Sequence, residues 1–449
     1  MKEVKYIDLF AGIGGFRKGF ERACEGIGLK SRCVLTSEIK DHALKVLKDN
    51  FTHENLVGDI TKINAIDIPE FDFLLAGFPC QSFSSAGNQD GFADTRGTLF
   101  FEIERILKKK KPYGFILENV SNLERHDGGR TLKIILKKLK KLGYKTNYKV
   151  LNSKSFGLAQ SRERIFITGT LDEKISLDNF EKKKSKLKDI LQKGQPTVKN
   201  ELTEKLLDHY KIEELYGKAI KDKRGGKNNI HSWDIEIKGE VSHEQKILLG
   251  ELLKQRRRKK WAEKKGIKWM DGMPLTVEEI STFFPNLLIN KKVDLKKMLD
   301  DLLEKGYLKF EHPKKQVIKK SKNGREIKRR VYDTNLEKGY NIVTGKLSFS
   351  FSKILDPEDI TPTIVATDVS KLAVPDNDGL RELTLLEGLR LFGFDDEFKF
   401  DVDKKQGFDL LGNTIAIPVV ESVALRILKK MKKNKNYNVE DDIDSLKAV

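Results

Sequence analysis

The chain has 449 residues, with 86 Lys and Arg against 67 Asp and Glu, a formal net charge of +19. That length suits two or three domains of about 150 residues, and the basic excess suits a polyanionic partner. Its three cysteines, Cys24, Cys33 and Cys80, lack disulfide or metal-ligand spacing, no run of about 18 apolar residues appears, and the start Met1-Lys2-Glu3 has no secretory core, so a cytoplasmic protein with no metal and no membrane association is expected.

Short apolar runs alternate with helical patterns over the first 170 or so residues, which predicts βαβ units and a parallel sheet. Lys5–Phe10 reads as the first strand, followed by Gly12, Gly14 and Gly15 and a helix through Phe16, Gly19, Phe20 and Ala23. Cys33–Thr36 is a second strand ending at Glu38, with a helix from about Lys40 to Asp49, and Leu56–Asp59 is a third. Phe71–Ala76 reads as a buried strand running into Gly77-Phe78-Pro79-Cys80, and Gly114–Leu117 as another running into Glu118-Asn119-Val120. Tyr148–Leu151 and Arg164–Gly169 form a terminal pair. The fold class is therefore α/β, a Rossmann-like, doubly wound mixed sheet.

From about residue 173 the sequence becomes lysine-rich and poorly periodic. Residues 181–340 hold 41 Lys and Arg against 25 Asp and Glu, leaving only +3 for the rest of the chain. Within this stretch, residues 274–333 read as a winged-helix-like unit. Thr276 and Glu279 form a capping box, a second helix carries Leu295, Met298, Leu299, Leu302 and Leu303 and stops at Gly306, and Tyr307–Phe310 and Arg330–Tyr332 flank the hairpin signal Asn323-Gly324. The expected layout is 1–172 for a first catalytic part, 173–404 for a smaller basic domain, 405–435 returning to the catalytic domain with a helix over Val420–Lys432, and 436–449 as an acidic, disordered tail.

Open parallel sheets bind ligands beyond the carboxyl ends of their strands. A glycine turn after strand one lets a ligand approach the backbone, Glu38 is placed to bind ribose hydroxyls, and Asp59 is placed to accept from an adenine amine; each acid alone could equally be a capping residue. Together they favour an adenosyl cofactor. Cys80 at the next strand end is a candidate nucleophile, the alternative being a small buried hydrophobe. Glu118 faces the same crevice and, beside a thiolate, would hold its proton. Arg162 and Arg164 alternate in Gln160-Ser161-Arg162-Glu163-Arg164, offering two cations to one face of an extended segment.

These segments carry a family resemblance. Asp8–Gly15, Pro79-Cys80-Gln81, Glu118-Asn119-Val120, Gln160–Arg164, Arg381–Phe394 and Gly412-Asn413-Thr414 occur in the order seen in cytosine-C5 DNA methyltransferases of the bacterial type II restriction–modification kind, and the chain resembles that family over about residues 4–170 and 361–425. The resemblance implies S-adenosylmethionine as methyl donor, with S-adenosylhomocysteine as product, held by Phe10, Gly12, Gly14, Glu38, Ile39, Asp59, Ile60, Pro79, Asn413 and Thr414. It implies covalent attack by Cys80 on C6 of a flipped-out cytosine in double-stranded DNA. Glu118 would contact N3 and the exocyclic amine, Arg162 would hold O2, and Arg164 would complete the catalytic set. The basic segment would then be a target-recognition domain, with Arg256–Lys260 and Lys328–Arg330 as candidates for phosphate contacts. A monomer, and a cognate restriction endonuclease acting on the same site, are further expectations. Two departures stand out: Phe392 replaces a usual glutamine, and Thr414 a usual Ala or Ser. An RNA cytosine-C5 methyltransferase and a sequence-specific DNA-binding regulator are the rival readings; the long basic insert favours DNA over transfer RNA, and the presence of Cys80, Glu118 and Arg162 together argues against a regulator with a degenerate site.

Overall fold

The computed structural model describes residues 3–79, 99–222, 225–267, 272–284, 294–320, 326–344, 350–365 and 367–434. Cys80, the Asn323-Gly324 turn signal and residues 435–449, which include the expected disordered tail, lie outside these residues. The chain divides into two compact units, Met1–Gln192 with Asp356–Val369 and Leu383–Val449, and Lys193–Leu355 with Ser370–Glu382.

The first unit is built on seven strands: β1 (Glu3–Leu9), β2 (Lys30–Ser37), β3 (Leu56–Val57), β4 (Phe73–Gly77), β5 (Gly114–Val120), β6 (Lys145–Asn152) and β7 (Glu163–Thr170). They lie in the order β3-β2-β1-β4-β5-β7-β6, parallel except that β7 runs antiparallel to both neighbours. Phe73, Leu74, Leu75 and Ala76 are all buried, as expected of a central parallel strand covered on both faces. The covering helices are α1 (Gly15–Glu25), α2 (Asp41–Asn50), α3 (Leu99–Lys110) and α4 (Arg130–Lys141). In α1 the buried Phe16, Phe20, Ala23 and Cys24 recur at helical spacing and point into the core. The strand order reverses between β1 and β4, which makes their carboxyl ends the place where a crevice opens.

The second unit contains β8 (Ala219–Ile220), β9 (Asn229–Ile230), β10 (Leu308–Glu311), β11 (Lys314–Lys320), β12 (Glu326–Tyr332), β13 (Gly339–Ile342), β14 (Lys353–Ile354), β15 (Leu372–Asp376) and β16 (Gly379–Arg381), with helices α5 (Glu201–His209), α6 (His243–Gln255), α7 (Lys259–Lys264), α8 (Val277–Ser281) and α9 (Leu295–Glu304). The capping box forms: Glu279 N donates to Thr276 Oγ1 at 3.3 Å and Thr276 N to Glu279 Oε2 at 3.0 Å. The strand pairing differs from the winged-helix expectation. β10 pairs with β13, not with 330–332, while β11 and β12 pair with each other. The reason is apolar: Phe310 packs against Tyr340, ring centroids 5.0 Å apart, and Leu308 and Ile342 are buried, whereas β11 and β12 have few apolar groups to bury.

The chain then returns to the first unit with α10 (Leu385–Arg390), α11 (Lys404–Asn413) and α12 (Ile417–Asn434). Residues 173–192, 356–369 and 383–404, grouped by composition with the basic segment, thus belong to the first unit. They carry groups that close it: Ile175 and Leu177 join its core, and Ile417 N donates to Phe392 O at 3.0 Å. Length and hydropathy alone would let Lys404–Lys433 cross a membrane. That stretch is broken between α11 and α12, and Val419, Val420, Val423, Ala424, Ile427 and Leu428 are buried. A Cβ on Gly19 would lie 2.7 Å from Val420 Cβ, so a glycine in α1 is what lets the two helices meet.

Candidate active site at the strand ends of the first unit

Beyond β1 the backbone turns sharply. Phe10, Gly12 and Gly14 have φ of +58°, +57° and +84°; for Phe10, a side chain in this left-handed region costs on the order of 1 kcal/mol. The turn is clamped to the end of β2. Ala11 N donates to Ser37 O at 3.0 Å and Gly12 N to Glu38 Oε2 at 2.7 Å. Ile39 N and Lys40 N donate to Glu38 Oε1 at 2.8 and 2.9 Å. A carboxylate has about four acceptor positions, so three N–H bonds leave Glu38 able to accept one more.

Asp59 caps a short 3-10 turn, accepting at Oδ1 from Thr61 N at 3.0 Å and Thr61 Oγ1 at 2.8 Å. Those bonds hold its carboxyl below the ordinary aspartate range. Ile39 is 71% exposed, whereas Ile60 is buried. The C-terminal segment closes on the turn from the other side: a Cβ on Gly15 would stand 3.1 Å from Thr414 Oγ1. Asn413 is exposed and ties its amide back to Asp409 O at 2.7 Å. A Cβ on Gly12, by contrast, would meet no atom within 4 Å. The turn therefore presents bare backbone to open space beside an acid, which fits a nucleoside-bearing ligand.

The second half of the site lies across β4 and β5. Their register pairs Gly77 with Glu118, and Asn119 Nδ2 donates to Phe78 O at 2.7 Å. The exposed Pro79 is the last described residue before Cys80. On β7, the register pairs Arg164 with Val120, which puts Arg164 diagonally beside Glu118 on the same face. Their side chains form an ion pair, Arg164 Nε to Glu118 Oε1 at 3.0 Å, with 17% and 13% of each exposed. Burial nevertheless holds the Glu118 pKa above its ordinary value, against the pull of Arg164 and then Arg162.

Arg162 departs from its expected place. It precedes β7, is buried, and donates through Nη1 to Ile364 O at 3.3 Å and through Nη2 to Gly412 O and Thr414 O, both at 2.9 Å. Its guanidinium also lies 5.1 Å from the centroid of Phe392, so the residue that departs from the family pattern supplies a π face to this cation. Burial and the neighbouring Arg164 push the Arg162 pKa down to about 9, which still leaves a cation at neutral pH. The two arginines therefore do not share one face: Arg164 faces Glu118, while Arg162 knots three backbone segments together.

Three further residues escaped the sequence reading. Asn119 anchors the segment leading to Cys80. Gln160 is fully buried, donating to Leu391 O at 3.1 Å and accepting from Ile364 N at 3.0 Å. Asp8 is fully buried, and burial, with Glu38 adding to it and Arg17 opposing it, pushes its pKa up to about 8. All three sit inside the quoted motif blocks, but nothing in their spacing separates a positioning role from a catalytic one. Among the basic candidates, Arg256 is buried and donates to Asn341 Oδ1 at 2.7 Å, so it braces the second unit and is not a phosphate contact.

A seven-stranded sheet with one antiparallel strand, a clamped glycine turn and acids at successive strand ends defines an α/β methyltransferase fold. The solved S. pombe Dnmt2 methyltransferase has that fold, at 14% identity and a TM-score of 0.51, over 96% of this chain and 99% of that one. Residues 4–429 match the C-5 cytosine-specific DNA methylase model, and the chain belongs to that family, as a DNA cytosine-5-methyltransferase of the type II restriction–modification kind. It is 55% identical to the Type II methyltransferase M.NlaIV of Neisseria lactamica over 435 residues, 95% of this chain and 99% of that one. To the Type II methyltransferase M.BanI of Aneurinibacillus aneurinilyticus it is 39% identical, over 94% and 95%. Family and fold imply the use of S-adenosylmethionine.

Proposed function

We propose that the chain methylates C5 of a flipped-out cytosine within a specific double-stranded DNA sequence through a covalent adduct with Cys80. The observation that carries this reading is the β4–β5 register: Gly77 is paired with Glu118, and Asn119 holds Phe78 O at 2.7 Å, so the segment entering Cys80 is fixed beside a carboxyl group. Cytosine C5 is a weak nucleophile. Addition of the Cys80 thiolate at C6 turns C5 into an enamine carbon. Glu118, kept protonated more readily than an ordinary carboxyl, donates to N3 as charge moves onto the ring. Arg164, paired with Glu118 and partly exposed, is the cation placed to hold the base O2; Arg162 acts as a positioning residue that holds the 412–414 backbone at the crevice. S-adenosylmethionine supplies the methyl group when bound. Glu38 would accept from its ribose hydroxyls, Asp59 from its adenine amine, and Phe10, Gly12, Gly14, Ile39, Ile60, Pro79, Asn413 and Thr414 would line its site. After methylation, loss of the C5 proton to a base, water being one candidate, expels Cys80.

The second unit serves target recognition in this reading. The enzyme works in the cytoplasm as a monomer, alongside a restriction endonuclease of the same specificity. The test of the chemistry is direct. Duplex DNA carrying 5-fluorocytosine in the target, incubated with S-adenosylmethionine, should give a denaturant-resistant adduct, and Cys80→Ser should give none. A preparation that methylates ordinary DNA yet forms no adduct would overturn the covalent route.

A further inference from the structure

We infer that the ribbon formed by β11 and β12 is a DNA-reading arm that enters the major groove with one defined face. The inference rests on the chain acting on duplex DNA, and goes beyond it by naming the element and the side chains that read. The two strands pair without interruption from Lys314–Tyr332 to Lys320–Glu326, a length of about 20 Å at the usual rise per residue. Gln316, Ile318 and residues 326–330 are exposed, with Ile318 62% and Ile327 41% exposed. A two-stranded ribbon wet on both faces gains little from its own packing and is marginal in water. Its foot, however, is tied down. Asp333 N donates to Pro313 O at 2.8 Å, Lys315 Nζ lies 3.1 Å from Asp333 Oδ1, and Tyr332 OH donates to Glu311 Oε2 at 3.0 Å. The ribbon is an arm anchored at its foot, with Gln316, Ile318 and residues 326–330 in solvent.

Charge says what covers it. The strands hold seven Lys and Arg and a single acid, Glu326. A lysine-rich ribbon is a poor protein-interface core but matches a phosphate-lined groove, and the major groove of B-DNA is wide enough for a two-stranded ribbon. The register also divides the ribbon into unequal faces. One face sets Gln316 opposite Arg330 and Ile318 opposite Lys328; the other sets Lys315 opposite Val331 and Val317 opposite Arg329, and there Val317 and Val331 are half-buried. The first face carries the base-edge chemistry: arginine for guanine, glutamine for adenine, and an apolar group for the thymine methyl. Lys328 and Arg329 are then the phosphate contacts.

The test uses the full chain. Bisulfite sequencing of DNA from expressing cells fixes the methylated context. Binding to a duplex with that context and to a scrambled one is then measured over a salt series with S-adenosylhomocysteine present. Lys328→Ala/Arg329→Ala should weaken both duplexes alike, about tenfold near 0.1 M salt, and reduce the slope of log affinity against log salt by about 2. Gln316→Ala/Arg330→Ala should instead cut the preference for the methylated context by about ten- to a hundredfold. Affinity for S-adenosylhomocysteine should be unchanged in both variants, which shows the first unit intact. Unchanged affinity, slope and preference would overturn the arm. If the unmodified chain deposits no 5-methylcytosine, the proposed chemistry falls, while the affinity and slope on scrambled duplex still decide the ribbon.

Discussion

The crevice of the first unit and the ribbon of the second solve opposite problems. At the crevice the clamping residues are held by hydrogen bonds: Glu38 by three N–H groups, Arg162 by three carbonyls, with Asn119 bound to Phe78 O. Chemistry needs groups held to a fraction of an ångström, and multiple buried hydrogen bonds supply that. The ribbon holds its foot and leaves Gln316, Ile318 and Lys328 in solvent. Reading a sequence needs donors that another molecule can reach. In the proposed function, fixed positions cluster where bonds are made and broken, and available side chains cluster where a partner is chosen.

Crevice substitutions should therefore stop turnover without loosening DNA, the converse of the ribbon variants. The largest effect is expected from Glu118→Gln, which should lower kcat by about 10³-fold with duplex affinity unchanged. Because the Glu118 pKa is raised, the unmodified rate should fall as pH climbs through that raised value, and this limb should vanish in the variant. A variant that keeps the limb would assign it to another group. Next, the two arginines should separate. Arg164→Met should cost about 100-fold in kcat with a small loss of stability. Arg162→Met strands the carbonyls of Ile364, Gly412 and Thr414 and should cost about 3 kcal/mol in thermal or denaturant unfolding. Equal stability losses in the two would erase the distinction drawn between them.

A pH-dependent effect concerns Asp8. Its folded pKa of about 8 exceeds the ordinary value near 4, so the folded protein holds a proton that the unfolded chain lacks. The resulting stability is fully present below about pH 4 and is lost as pH rises through about 8. Asp8→Asn should remove up to about 1.4 kcal/mol per pH unit of slope in that window. Parallel melting curves for the two proteins would show the carboxyl ionised throughout. The smallest effect, about 1 kcal/mol, is expected for Phe392→Leu, which removes the ring beneath Arg162.

The sheet was legible because its strands are short apolar runs punctuated by Gly12, Glu38, Asp59 and Glu118, and because parallel strands must be buried. The helix ends at Thr276 and Gly306 were legible for the same local reason, a capping side chain and a left-handed stop. The pairing of β10 was not, since Tyr340 competes for Phe310 from thirty residues away and a local turn signal says nothing of that contact. Arg162 and Arg164 look equivalent in sequence. They differ only because β7 begins at Glu163, leaving Arg162 free to turn inward, and the acceptors that capture it lie some 200 and 250 residues further on.

That last span matters during synthesis. Until residue 364 is added the guanidinium of Arg162 has none of its acceptors, until 414 Gly15 lacks Thr414, and until 420 the groove around Gly19 is open where Val420 will pack. The first unit therefore cannot finish before α12 emerges, and its closing contacts are among the longest loops a chain of this size can form. A nascent or truncated copy ending short of α12 would display an apolar α1 face and an unfinished crevice. The contacts that close the first unit form only when α12 docks against α1.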